Sequence, residues 1–319
     1  MASSWDFSFE IEEVLKNIGT DDTMLVLGGT DTGKTTLIKR LHERLGGKVI
    51  DGDLGQPEIG PPGLLSRGSY GNGMENGYFV GGFTPRGNLV QVMTGIARLI
   101  RTGARPLFVD TDGWIDGDAA LVYKGELISL IDPDVLLLLE RNSELEKFST
   151  FLSPEKTISL SALTGAKKSR GERAANRIRK LKYYFSRASR VRRSWSEVSV
   201  AGTLLGKGEE VSREQLAKAV STGPVTAWKF GTTLTVVSRS KPDLEGKLKR
   251  ELDVARVIHH PTRELRYRLA GCHRDGEFAG LGTLTEISPE GPELLTPCEK
   301  FNILKLGEER VKPSGRSVA

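Results

Sequence analysis

The chain has 319 residues, 38% of them hydrophobic and 27% charged, with a net charge of +5. That length allows one large or two ordinary domains with a real core, and the composition is that of a globular protein. No apolar run approaches the ~18–20 residues that a membrane span needs, and the mixed, acidic N-terminus MASSWDFSFEIEEVLKNIG is neither a signal nor a transit peptide. Cys272 and Cys298 form no CxxC, and the four histidines have no metal spacing. Reduced thiols, a cytoplasmic location and no zinc site are therefore expected.

In chain order, TMLVLGG (23–29) is a short apolar run that reads as a buried strand. A glycine-rich loop follows, and TTLIKRLHERLG (35–46) has apolar residues at helical spacing and a closing glycine. GGKVIDGD (46–53) reads as a second strand ending in acids, and GNLVQVMTGIARLIRTGARP (87–106) as an amphipathic helix stopped by Gly103 and Pro106. PLFVDTDGW (106–114) is a third strand with acids at its end. GELISLIDPDVLLLLE (125–140) gives a helix, a break at Pro133 and an apolar strand, and KTISLSAL (156–163) gives one more. Continuous apolar strands separated by helices predict an α/β fold: a P-loop NTPase with a mainly parallel sheet covered by helices on both faces. Ligands then collect at the C-terminal ends of the strands. After about residue 222 the texture changes to short strands punctuated by Gly, Pro and Asp, with helical periodicity only in DLEGKLKRELDVARV (243–257). A boundary near Thr222–Pro224 is expected, dividing a P-loop domain (1–222) from a smaller β-rich domain (223–319).

The chemistry begins at residues 28–36, GGTDTGKTT. Gly28-x4-Gly33-Lys34-Thr35 fits the Walker A pattern between a strand and a helix. Its glycines let the backbone amides of Thr30, Asp31, Thr32 and their neighbours turn inward around a β-phosphate, assisted by the helix N-terminus carrying Thr36. Lys34 reaches the β/γ oxygens, and the Thr35 hydroxyl belongs on Mg²⁺. ATP or GTP with Mg²⁺ is the expected ligand; the guanine-reading NKxD is missing, since VLLLLE continues as Arg141-Asn142-Ser143. Across the cleft, DGDLGQPEIGPPG (51–63) brings a carboxylate to a strand end. In a kinase such a group accepts or orients the proton of the attacking hydroxyl. Asp110 ends the strand LFVD (107–110), the usual setting of a Walker B acid that holds the Mg²⁺ shell, whereas Asp112 reads equally well as a turn residue.

Between Lys167 and Arg193 there are twelve Lys or Arg and one acid, Glu172, so this segment faces an anion. Arg173 and Arg177 lie one helical turn apart on one face. Such a pair spreads planar donors over the charge of a transferring phosphoryl group. Arg179, Lys182, Arg187, Arg190, Arg192 and Arg193 are placed to follow a phosphate backbone. The interleaved Tyr183, Tyr184, Phe185 and Trp195 offer either base stacking or core packing, and core packing is the reading for Tyr183–Phe185.

The ordered set GGTDTGKTT, DGDLGQPEIGPPG, FTPRGN (83–88), DTDGWIDG (110–117), PDVLLLLE and the arginine segment running into YYF resembles the P-loop polynucleotide 5′-hydroxyl kinases. The resemblance covers roughly residues 20–200, and GLGTLTEI…LLTP…LKLG looks like the family's C-terminal β domain. It implies transfer of a nucleotide γ-phosphate to the 5′-OH end of RNA, or of DNA. Lys34 and Thr35 then bind triphosphate and Mg²⁺, Asp53 activates the hydroxyl, and Gln56 positions phosphate or metal shell. Thr84 belongs to a clasp, Trp114 stacks on a base, and Arg173 and Arg177 are lid arginines. Lys168 and Arg170, at the start of a lid over about 165–195, contact substrate. Lys168 stands where an arginine is usual, which keeps charge but loses the planar fork. Asp110 stands where the family often has an uncharged polar residue. About twenty residues precede the first strand, so the large N-terminal β domain of eukaryotic members is expected to be absent. The rival reading is a nucleotide switch or scaffold ATPase of an RNA-processing complex, without kinase activity.

Overall fold

A computed structural model describes residues 8–101, 103–149, 157–162, 168–212, 214–216, 226–239 and 247–318. The chain divides into two compact units, Met1–Arg177 and Ile178–Ala319. The boundary expected near residues 222–224 lies outside the described residues. The second unit already includes Ser189–Arg192 and Ser199–Ala201, which are strands of its larger sheet. Among the described residues no helix is long and apolar enough to cross a membrane.

The first unit is built on β1 (Thr23–Gly28), β2 (Lys48–Asp51), β3 (Leu64–Ser69), β4 (Gly73–Phe79), β5 (Leu107–Asp110), β6 (Val135–Glu140) and β7 (Thr157–Ser161). They form one sheet in the order β4-β3-β2-β5-β1-β6-β7. The five strands from β2 to β7 across this order are parallel, and β3 and β4 add an antiparallel hairpin at one edge. The sheet is thus mainly parallel, as the apolar runs predict.

Those runs are continuous because each face meets a helical layer. Leu25, Leu27, Leu136 and Leu138 pack into one cluster with Val92, Ile96 and Leu127 of α3 (Leu89–Ile100) and α4 (Asp118–Ile131). Their neighbours Met24, Val26, Val135 and Leu137 pack into the other, with Val14 of α1 (Ser8–Leu15) and with Leu37, Ile38 and Leu41 of α2 (Lys34–Leu45). Alternate residues point to opposite faces, so a strand buried on both cannot carry a polar face. β1 lies between β5 and β6, where the direction of winding reverses, and the crevice there is the usual ligand position.

The second unit carries a four-stranded sheet over residues 209–261 and a six-stranded sheet that pairs residues 189–201 with residues 268–310. Trp195, Trp228, Leu284 and Leu294 share its core. The helical pattern expected over 243–257 survives as Lys247–Glu251, and Arg256–Pro261 is instead a strand pairing in parallel with Thr233–Ser238. Of the three aromatics expected in a core, Phe185 is buried and the Tyr184 hydroxyl accepts the Leu281 amide at 2.8 Å, but Tyr183 is 76% exposed. The reason is helical spacing: Leu181 and Phe185, four apart, take the inward face.

Helix α3 meets the sheet at Gly95, where an added Cβ would lie 2.5 Å from Leu65 Cδ1 and from Tyr78 Cδ1. Gly95→Val is therefore expected to destabilise the first unit by about 1–3 kcal/mol through overpacking. Thermal unfolding reads this directly, and an unchanged midpoint would remove the proposed helix–sheet contact.

Candidate active site

The loop after β1 closes on itself. Gly33, with φ 98°, ends it in a left-handed conformation and starts α2 without a side-chain cap. Thr32 Oγ1 donates to the Gly29 carbonyl at 3.0 Å. Lys34 Nζ donates to the carbonyls of Gly28 and Gly29, both at 2.9 Å. An ammonium has three donors, so one remains to reach an anion at the loop. Burial, the largest influence, holds the Lys34 ammonium below the ordinary lysine value against the opposing pull of Asp110. Thr36 is exposed on the first turn of α2. The Arg141 guanidinium holds the loop from outside, donating to the Asp31 carbonyl at 2.9 Å. Sequence reasoning gave Arg141 no role beyond marking the missing base-recognition motif.

Three acids at neighbouring strand ends have different tasks. Asp51 is buried and accepts the backbone amides of Asp53, Glu58 and Ile59. It folds the turn, and burial, with Asp110 nearby, raises its carboxyl well above the usual range. Asp53 Oδ1 accepts the amides of Gly55 and Gln56, both at 2.9 Å. Its Oδ2 accepts no hydrogen bond from a described residue, so one oxygen is fixed and the other is available. Asp110 Oδ2 accepts the Thr35 hydroxyl at 2.6 Å, while its Oδ1 is buried with no partner among the described residues. Burial pushes the Asp110 carboxyl up to about 6, against the lowering effect of Lys34 and Thr35. A buried carboxylate oxygen without a donor, beside a hydroxyl, fits a hard divalent cation and its water shell.

Asp112 is no simple turn residue. Its carboxylate receives Lys124 Nζ at 2.9 Å, the Tyr123 hydroxyl at 3.0 Å and the Trp114 amide at 2.8 Å. Lys124 is fully buried. Losing either partner would leave an unpaired buried charge, a cost of ~3–5 kcal/mol. The pair was illegible because its members lie in a loop and a helix twelve residues apart. Gly113 is required here, since a Cβ would lie 2.7 Å from the Thr30 amide nitrogen. The loop carrying Trp114 is thereby pressed against the Walker loop. The Trp114 ring stacks with Tyr123 at 5.8 Å, and the Arg86 guanidinium lies 4.7 Å from its centroid. Arg86, two residues beyond the exposed Thr84, was not singled out in the sequence. Thr84 Oγ1 itself accepts the Arg86 amide at 3.3 Å.

The start of the arginine-rich segment meets both loops. The Lys168 amide donates to Asp31 Oδ2 at 3.1 Å, and Arg173 pairs with the same carboxylate at 3.9 Å. The Arg173 guanidinium also donates to the Lys168 carbonyl at 2.6 Å, and its buried Nε has no partner among the described residues. Gln56, expected at phosphate or metal, donates its side-chain amide to the Arg173 carbonyl at 2.9 Å. Arg177 lies over the Phe83 ring at 4.8 Å. The structure therefore brings Lys34, Thr35, Asp53, Asp110, Arg173 and Arg177 to the loops around one strand-end crevice. Arg170 is exposed on the first turn of α5 (Arg170–Phe185), the helix of the arginine-rich segment.

The family model "mRNA cleavage and polyadenylation factor CLP1 P-loop" matches residues 28–187. A polyribonucleotide 5′-hydroxyl-kinase of Pyrococcus furiosus is 30% identical over 321 residues, covering 92% of this chain and 89% of its own length. One from Thermococcus kodakarensis is 31% identical, covering 93% of this chain and 90% of itself. One from Methanocaldococcus jannaschii is 28% identical, covering 97% and 92%. Among solved structures, a Clp1p–Pcf11p complex aligns over 95% of this chain and 77% of the matched chain, with a TM-score of 0.60 at 13% identity, which establishes the fold.

The Asp110 carboxyl binds its proton more tightly folded than unfolded. Its contribution to stability is full below about pH 4 and is lost as pH rises through about 6. Asp110→Asn carries no such dependence. The variant is expected to gain about 2–3 kcal/mol over the parent at pH 8, and this gain should shrink towards pH 4. Paired unfolding curves at the two pH values check it; a difference independent of pH contradicts the assignment.

Proposed function

The chain belongs to the CLP1 P-loop family, and from that membership we propose an RNA 5′-kinase whose chemistry is carried by the residues gathered around Lys34. It transfers the γ-phosphate of ATP to the 5′-hydroxyl end of RNA. The observation that carries the residue assignments is the half-used carboxylate of Asp53, with one oxygen fixed by two amides and the other accepting nothing. In the transfer, the 5′ oxygen forms its bond to the γ-phosphorus as the bond to the β,γ-bridging oxygen breaks, and ADP leaves. Asp53 Oδ2 takes the hydroxyl proton. The third N–H of Lys34 and the inward amides of the Walker loop hold the phosphate chain in line.

Arg173 and Arg177 spread positive charge over the transferring group. Arg173 does so by leaving Asp31, a partner 3.9 Å away and easily exchanged for a phosphate oxygen. The engaged lid excludes water, which favours transfer over hydrolysis. Thr35 and Asp110 are the residues that would hold Mg²⁺, which when bound neutralises charge on the β and γ oxygens. Trp114, supported by Tyr123, offers a ring for the terminal base, which selects a polymer end over a small alcohol.

Asp53→Asn keeps the turn's acceptor oxygen and removes the base. It is expected to lower kcat by about 10²–10⁴ with nucleotide affinity retained. Near-normal turnover in that variant would reassign the base. Arg173→Ala is expected to lower kcat by about 10³ or more, measured in single-turnover transfer, whereas a change in KM alone would make it a binding residue only.

A further inference from the structure

A second site lies wholly within Ile178–Ala319. A cavity of about 400 Å³ is lined by Arg190, Arg239, Arg266, Tyr267, Glu286 and Glu293, among others. That volume is in the ~300–1,000 Å³ range of small-ligand sites. Its acids are already neutralised. Arg192 pairs with Glu286 at 2.8 Å and with Glu293 at 3.1 Å, and Arg190 pairs with Glu293 at 3.4 Å. Arg239 and Arg266 have no carboxylate partner among the described residues. Two planar, always-charged forks thus face a cavity whose negative charge is spent.

Tyr267 is the second observation. Its φ is 67°, a left-handed backbone that a bulky side chain rarely adopts. The conformation is over-determined by its neighbours: the Tyr267 amide donates to the Leu284 carbonyl and its carbonyl accepts the Val311 amide, both at 2.6 Å. Glycine would meet this backbone without strain. Strained residues of this kind concentrate at ligand sites. Tyr267 lines the cavity, and the Arg266 guanidinium lies 4.9 Å from its ring centroid.

We propose that this cavity binds a nucleoside phosphate, with Arg239 and Arg266 on the phosphate and Tyr267 under the base. The same chemistry is presented by a nucleotide within single-stranded RNA and by a free nucleotide. The site shares no residue with the Walker loop and is independent of the residue roles assigned there.

The test uses the full chain. Anisotropy of a fluorescein-labelled single-stranded RNA and equilibrium dialysis of AMP are measured for the parent, for Tyr267→Gly and for Arg239→Glu/Arg266→Glu. Arg263→Glu, at an exposed arginine that does not line the cavity, controls for bulk charge. Tyr267→Gly suits the backbone it enters, so its unfolding midpoint should hold or rise; the exposed arginine pair keeps the test decisive if it does not. If the ligand is RNA, both variants weaken RNA binding by about five- to one-hundredfold, the range of a missing base stack. The arginine pair should also lower the salt slope of log K by ~0.7, the value for one phosphate that is no longer neutralised. If the ligand is a free nucleotide, AMP retention falls instead and RNA affinity stays. RNA and AMP affinities that match the parent, or that fall no further than in Arg263→Glu, overturn the proposal.

Discussion

The structure of the first unit depends on charge kept out of water at the ends of its central strands. Lys34, Asp51, Asp110, Asp112 and Lys124 are all buried there. Such groups are tolerated only when each is paired or hydrogen-bonded. Asp51 spends its carboxylate on three backbone amides and so folds the turn that presents Asp53. Asp112 spends its own on Lys124, Tyr123 and the Trp114 amide, and so fixes the next loop. Two oxygens remain outside this accounting, Asp53 Oδ2 and the buried Asp110 Oδ1. Both stay open to a ligand, because no described residue donates to either.

The same constraint explains how a lid can be both ordered and exchangeable. Its start rests on Asp31 through one amide and one long ion pair, and on Gln56 through the Arg173 carbonyl. A partly exposed ion pair as long as 3.9 Å contributes little, of order 0–1 kcal/mol. A phosphate group, with more charge and more acceptors, outcompetes a single carboxylate for an arginine. These contacts place Arg173 beside Asp31 of the Walker loop through a pair that is readily exchanged.

Much of this was legible because it follows from local rules. The Walker loop needs glycine at a left-handed position, and the central strands need apolar residues on both faces. Both demands leave marks on a short stretch of sequence. The β3–β4 hairpin was not read as such, since the GMENGYF strand is mostly exposed at the sheet edge and carries no alternation. The roles of Asp112 with Lys124, and of Arg86 with Trp114, were hidden because they depend on which loop faces which helix. By composition all of residues 167–195 suits a helix, yet the helix ends at Phe185 and Ser189–Arg192 is a strand whose arginines meet Glu286 and Glu293 across the sheet. Charge runs report surface potential, and pairing partners a hundred residues away decide what each charge does. The Arg190, Arg239 and Tyr267 cavity belongs to the same class, assembled from segments that share no motif.

The central claim is that phosphate held at Lys34 goes to an RNA end. Transfer from γ-labelled ATP in the presence of Mg²⁺, to matched 5′-hydroxyl RNA and DNA oligonucleotides, tests it most directly, with Lys34→Ala as control. Label on the RNA 5′ end, lost in the control, is the predicted result. Label released as inorganic phosphate, with both oligonucleotides unlabelled, would contradict it.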